Sequence, residues 1–149
     1  MGLNKTPLLG KGEYPSSICS TLVPKSGNVF YPFFRPPFFS LIKTYITQKE
    51  KSGVKKESQY IHNVMDGTLI GYKYFDLSST KKAFLLVDGR FDGSVYVSLS
   101  EGGKERKVPL SFHGKEKVEI PLGNTSSKDA LFFRFEGKGK FDFLSFFLE

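Results

Sequence analysis

The chain has 149 residues, 39% hydrophobic and 25% charged, which is ordinary for one globular domain with a core of its own and unlike a disordered tail. Its net charge is +7, but the lysines are spread along the chain, many beside glycine as in Gly103-Lys104, Gly114-Lys115, Gly137-Lys138 and Gly139-Lys140, so they read as loop charges and no nucleic-acid partner is expected. No apolar run is long enough for a membrane-spanning helix, and Cys19, the single cysteine, excludes an internal disulfide and any multi-cysteine zinc site.

In chain order, residues 1–43 differ in texture from the rest. The start lacks the basic segment and apolar stretch of a signal peptide. Met1 to Thr6 fits the loose myristoylation pattern, which so short a match satisfies by chance. Pro15, Pro24, Pro32, Pro36 and Pro37 forbid long helices. Residues 29–34 are expected to form one strand followed by an extended tail, and so much aromatic surface must be buried on the chain's own core or on a partner.

Residues 44–149 read as strand after strand. Val95, Val97 and Leu99 alternate with Tyr96, Ser98 and Ser100, and Val118, Ile120 and Leu122 alternate with Lys117, Glu119 and Pro121. A period of two marks a half-buried strand. Further strands are predicted over 44–48, 59–64, 68–77, 83–87, 106–110, 131–135 and 141–148, with a polar loop over 49–58. Asp66-Gly67, Asp88-Gly89, Asp92-Gly93, Gly102-Gly103 and Gly123-Asn124 are predicted turns, because glycine accepts positive φ and Asp caps its own turn. Nine or ten short strands with turns between them predict an all-β, jelly-roll-type β-sandwich with an irregular N-terminal extension.

No catalytic constellation is expected. Asp66, Asp76, Asp88, Asp92 and Asp142 could supply carboxylates, but most occupy predicted turns. The two histidines, His62 and His113, lie in no nucleophile motif. With one distant cysteine they make no zinc site, and no glycine-rich phosphate loop opens a helix. Sugar binding would require residues of a particular kind. A sugar ring has an apolar face and polar edges, so its site needs an aromatic platform beside hydrogen-bonding groups. Tyr60 is the candidate platform, within Gln59-Tyr60-Ile61-His62-Asn63, while Tyr72, Tyr74 and Tyr96 read as sheet-surface residues.

The stretch from Asp66 to Asp76, DGTLIGYKYFD, and the ending from Phe133 to Phe146, FRFEGKGKFDFLSF, resemble the opening and closing motifs of family 6 carbohydrate-binding modules. Tyr45-Ile46-Thr47-Gln48 together with the segment from Gln59 to Gly67 resembles more closely the C-terminal module of bacterial family 43 glycoside hydrolases, of β-xylosidase and α-L-arabinofuranosidase type. Gly2-Leu3-Asn4, Gly12-Glu13-Tyr14-Pro15 and Ile18-Cys19 are similar to the segment that joins that module to the catalytic propeller. The resemblance implies residues 1–43 as a linker or remnant and 44–149 as the binding module. It also implies no catalytic residues in this chain, an extracellular or periplasmic setting, a plant cell-wall glycan as ligand and a catalytic domain as partner. The implied cleft holds a sugar between two aromatics near a C-terminal amide. Tyr60 matches the first aromatic, the region of His113 and Lys115 falls where the second would lie, and Asp142 stands at the amide position. His62 and Asn63 join them as polar candidates. No cofactor is expected. The structural calcium of the family is doubtful, since Gln48 and Leu144 occupy two of its ligand positions. The rival readings are a purely structural module that packs on the catalytic domain, and a polyanion-binding domain driven by the net charge.

Overall fold

The computed structural model describes residues 7–23, 44–47, 59–100 and 102–149. Among the described residues nine strands are formed: β1 (Leu8–Leu9), β2 (Gly12–Pro15), β3 (Thr21–Val23), β4 (Tyr45–Ile46), β5 (Ile61–Val64), β6 (Leu69–Asp76), β7 (Lys82–Ser98), β8 (Arg106–Pro121) and β9 (Asp129–Leu148). A single 3-10 turn, Ser16–Ile18, is the helical element among the described residues. The aromatic segment 29–34, the proline-rich stretch after it and the loop 49–58 lie outside the described residues.

Three strands organise the molecule. β7 pairs antiparallel along its whole length with β8 on one side and β9 on the other. The free edge of β9 takes β6 along its first part, then β5, then β2 at its end. These long strands are bent. Phe133 and Phe143 are ten residues apart on β9, about 33 Å if the strand ran straight, yet their ring centroids are 6.3 Å apart. Phe135 and Phe141 come within 5.3 Å in the same way. The first half of β9 therefore faces its second half, and the bent ribbon supplies both layers of a β-sandwich.

Period-two alternation passes through the bend unbroken. On β7 the inward positions are Ala83, Leu85, Val87, Phe91, Val95 and Val97, all buried, with Gly89 and Gly93 filling the gaps in the series. On β9 they are Leu131, Phe133, Phe135, Phe141 and Phe143, with Gly137 and Gly139 between. The inner side of the corner has no room for more. A Cβ on Gly93 would stand 2.0 Å from the Glu136 carbonyl oxygen, and one on Gly137 would stand 2.4 Å from that of Asp92. Phe91, Phe112, Phe135 and Phe141 fill what space remains, edge to face or stacked. Each such buried ring contributes about 1.5–3 kcal/mol by removal from water.

This geometry corrects two sequence expectations. Asp88-Gly89 and Asp92-Gly93 are not hairpin turns but bend positions inside one strand, so the predicted strands 83–87 and 95–99 are one element. Likewise Lys115, Lys138 and Lys140 belong to strands at the bend rather than to loops. Asp66-Gly67 does turn, with the Thr68 amide donating to the Met65 carbonyl at 3.1 Å, and Gly102-Gly103 lies between β7 and β8 as predicted.

Residues 7–23 are built into the sandwich. β1 runs parallel to the end of β6, β3 antiparallel to its start, and β2 pairs with the end of β9. Ser16 is fully buried; its hydroxyl donates to the Phe143 carbonyl at 2.5 Å and accepts from the Ile61 amide at 3.2 Å. Tyr72, expected on the sheet surface, is instead 1% exposed and donates from its hydroxyl to the Ser16 carbonyl at 2.8 Å. Burial pushes its phenol well above the usual tyrosine value. Cys19 is half-buried, and burial raises its thiol too.

Candidate functional site

β5 carries three of the five candidate residues, and a bulge sets their positions. Ile61 pairs with Phe143 and Val64 with Phe141, so three steps along β5 match two along β9. The extra residue is accommodated at Asn63, whose φ of 58° is left-handed. Asn tolerates that region better than a branched residue because its short polar side chain makes local hydrogen bonds. A bulge leaves a backbone amide without a ladder acceptor. Here the amide of Asn63 donates to Oδ1 of Asp142 at 3.2 Å, a carboxylate standing in for the missing carbonyl.

The same Oδ1 lies 2.7 Å from Nδ1 of His62. The side chains of His62 and Asp142 are 35% and 28% exposed, so the pair opens onto the surface. Asn63 itself is 5% exposed, and its carbonyl accepts from Thr44 Oγ1 at 2.6 Å. β4 holds the outer edge: Tyr45 pairs with His62, Ile46 with Ile61, and beyond them Thr47 and Tyr60 exchange bonds of 2.8 and 3.0 Å. Ile61 points into the core, so Tyr60 and His62 on either side of it point outward, on the face that carries Asp142. The structure thus brings Tyr60, His62, Asn63 and Asp142 together.

His113 stands apart. It lies on β8 opposite Arg90, which lies opposite Lys140. Asp142 is opposite Asp88, which is opposite Lys115. His113 is therefore two strands and two residues away from Asp142, about 12 Å along the sheet, although it shares the outer face.

The remaining carboxylates serve their own loops and strands. Asp66 Oδ1 accepts from the Gly137 amide at 3.0 Å, and Asp92 Oδ1 from the Ser111 hydroxyl at 2.6 Å. Asp76 accepts from the hydroxyl and amide of Ser78, which hold its carboxyl below the usual range. Among the described residues no three His, Cys, Asp or Glu gather as a metal site; Leu144 lies within β9, and Gln48 lies outside the described residues. Two surface clefts lie elsewhere, one between Ser78–Lys81 and Gly123–Thr125, the other between Ser98, Gly103, Glu105 and Arg134. Neither includes a candidate residue.

Sequence reasoning missed the neighbours Arg90 and Lys140. The signal was present, since each falls at an outward position of an alternation that runs through glycine, but reading Gly as a turn concealed it.

No family model matches the chain. It is 32% identical over 148 residues to a xylosidase/arabinosidase of Thermoclostridium stercorarium, a match covering 95% of this chain and 30% of that protein. The chain thus spans less than a third of the curated relative's length. Among solved structures it resembles a family 6 carbohydrate-binding module of Clostridium stercorarium in complex with cellobiose, at TM-score 0.67, 13% identity and 98% coverage of both chains. A family 6 module of Clostridium cellulolyticum in complex with xylose gives TM-score 0.62 at 12% identity, covering 95% of this chain and 98% of that one. A family 43 arabinoxylan arabinofuranohydrolase of Bacillus subtilis, in complex with cellotetraose, gives TM-score 0.67 at 14% identity over 97% of this chain and 28% of the enzyme. The fold is that of the family 6 carbohydrate-binding β-sandwich.

Proposed function

We propose that this chain is a non-catalytic accessory module that binds plant cell-wall glycan of the xylan or arabinoxylan class on behalf of a glycoside hydrolase acting outside the cell. One observation carries the reading: Tyr60, half-buried, falls at the outward position two residues before His62, whose Nδ1 lies 2.7 Å from Asp142 Oδ1. The ring offers a platform for the apolar face of a sugar. Oδ2 of Asp142, which has no hydrogen bond among the described residues, offers an acceptor for hydroxyls on its edge. The similarity to a xylosidase/arabinosidase and to sugar-bound modules supports the ligand class.

The test is titration with xylo- and arabino-oligosaccharides, read by tyrosine-ring NMR shifts. Saturable shifts that disappear in Tyr60→Ala are expected. The absence of any shift at millimolar sugar refutes the reading.

A second reading has its own observation. Leu8, Leu9, Ile18 and Val23 are 41%, 70%, 41% and 40% exposed. β1 and β3, which carry three of them, flank the same edge of β6. This apolar edge suits a structural module docked on a catalytic domain. That reading predicts association with such a domain in the absence of sugar, weakened by Leu9→Asp.

A further inference from the structure

We propose that the sugar-binding face takes an acidic glycan, one whose neutral backbone carries spaced carboxylates such as uronic acid side groups; the inference rests on the sugar-binding reading above and names its ligand class. It begins at the corner of the ribbon. Lys140, Arg90 and His113 are directly opposite one another on β9, β7 and β8. All three are exposed and, being two residues from Asp142, Asp88 and Lys115, face outward with them. Lys138 continues the series at the next outward position of β9.

Cations placed directly opposite each other destabilise a sheet unless an anion lies between them. Among the described residues no carboxylate lies within that row, although Asp92 is directly opposite Lys138 and Asp88 directly opposite Lys115 in the rows on either side. The ion pairs among the described residues lie elsewhere: Lys82 with Glu119, and Arg134 with Glu105 and Glu136. In the flanking rows Asp92 accepts from Ser111, and Asp142 accepts from Asn63 and lies against His62; both keep their charge, and neither forms an ion pair with Arg90 or Lys140 among the described residues. Asp88, Asp92 and Asp142 thus stand against Arg90, Lys138, Lys140 and Lys115, and the excess positive charge is centred on the adjacent pair Arg90 and Lys140. The Lys140–Arg90–His113 row is only one outward step, about 7 Å, from the row that carries Asp142. A glycan seated on Tyr60 and the His62–Asp142 pair would extend across it.

The pattern also selects among anions. Arg90 presents a planar guanidinium fork suited to a carboxylate. Asp88, Asp92 and Asp142 interrupt the cations, which repels a continuous phosphate backbone but leaves space for isolated charges on a neutral polymer.

The experiment is calorimetric titration of the full chain at low and high salt with three ligands: a neutral xylo-oligosaccharide, the same backbone bearing one glucuronic acid, and a short DNA duplex. The acidic sugar is expected to bind about ten-fold tighter than the neutral one at low salt. That difference should vanish in the Arg90→Gln/Lys140→Gln double variant and at high salt, while neutral-sugar affinity stays unchanged. Both side chains are exposed, and an unaltered or raised thermal midpoint will show that the variant is folded. Equal affinity for neutral and acidic sugars overturns the inference and leaves the sugar-binding reading intact. DNA binding as tight as the acidic sugar also overturns it, making the corner a general polyanion site. Failure of both sugars refutes the sugar-binding reading and this inference with it.

Discussion

Replacing Asp142 separates its structural work from any work on a ligand. One oxygen, Oδ1, accepts from the Asn63 amide at 3.2 Å and lies 2.7 Å from His62 Nδ1. In Asp142→Ala the imidazole, 35% exposed, can turn to water. The amide of Asn63 cannot do so readily, because that residue is 5% exposed and held in a bulge. A buried donor left without an acceptor costs about 1–3 kcal/mol, so Asp142→Ala is expected to lower stability by about 2 kcal/mol. In Asp142→Asn the amide oxygen can still accept from Asn63, and the loss should stay under about 1 kcal/mol. For a chain of this length the first change corresponds to a fall in Tm of about 4–8 °C. Urea and thermal unfolding of both variants measure the difference. Equal stability of Asp142→Ala and the parent would refute the claim that this carboxylate completes the ladder at the bulge. A loss in Asp142→Asn as large as in Asp142→Ala would mean that its charge, not its acceptor geometry, is what the fold requires.

Two further outcomes follow from the corner and from the surface charges. Gly137→Ala should lose about 3 kcal/mol, since its Cβ would press on the Asp92 carbonyl at 2.4 Å and on Gly93 Cα at 2.7 Å, whereas Gly102→Ala, with nothing within 4 Å and only a left-handed φ to resist it, should lose about 1 kcal/mol; similar urea midpoints for the two would contradict the packed corner. Arg134 donates to both oxygens of Glu105, at 2.9 and 2.7 Å, and this bonding holds the Glu105 carboxyl below its ordinary value. A depressed carboxylate adds stability above its unfolded pKa and loses it as pH falls through the folded one. The parent should therefore lose more stability than Arg134→Gln between about pH 6 and pH 3, by less than about 1 kcal/mol because the pair is partly exposed, and equal losses in acid unfolding curves would dismiss the pair as a contributor.

The sandwich was legible because its strands alternate. The inward sets on β7 and β9 read directly as core, and the closing stretch from Phe133 to Phe146 carries the family likeness. What sequence could not convey was continuity. Glycine permits both a turn and a tight bend, and only the partner strand distinguishes them. Gly93 opposes Gly137 across β7 and β9, a long-range pairing that no local pattern reveals. Tyr72 illustrates the same limit: period and propensity suited a surface position, but the hydroxyl found the Ser16 carbonyl 56 residues away and the ring went inside. For the site, Tyr60 is singled out by its polar surroundings, and His62, Asn63 and the distant Asp142 by resemblance. The contact between His62 and Asp142 spans 80 residues and depends on the bulge, which the sequence did not announce.

The chain has no tryptophan, and that bears on how its face could hold a sugar. The resemblance places a second aromatic near His113 and Lys115, to sandwich the ring from the side opposite Tyr60. In its place stands a cationic row, with Arg90 and Lys140 beside His113. An aromatic contact is worth about 0.5–1.5 kcal/mol beyond its burial, whereas a hydrogen bond to a charged group contributes about 1.5–3 kcal/mol. One charge-assisted contact to a uronic carboxylate can therefore offset the missing ring, but only for a ligand that carries the charge. A neutral sugar would gain nothing from the exchange and would bind more weakly than a module with both aromatics. On the proposed reading, cations where the resemblance implies a second aromatic would turn specificity from the shape of a sugar face to the charge on its substituent. Arg90→Tyr makes the idea testable in reverse: it should weaken the acidic ligand and strengthen the neutral one, and a fall in both affinities would separate the two features.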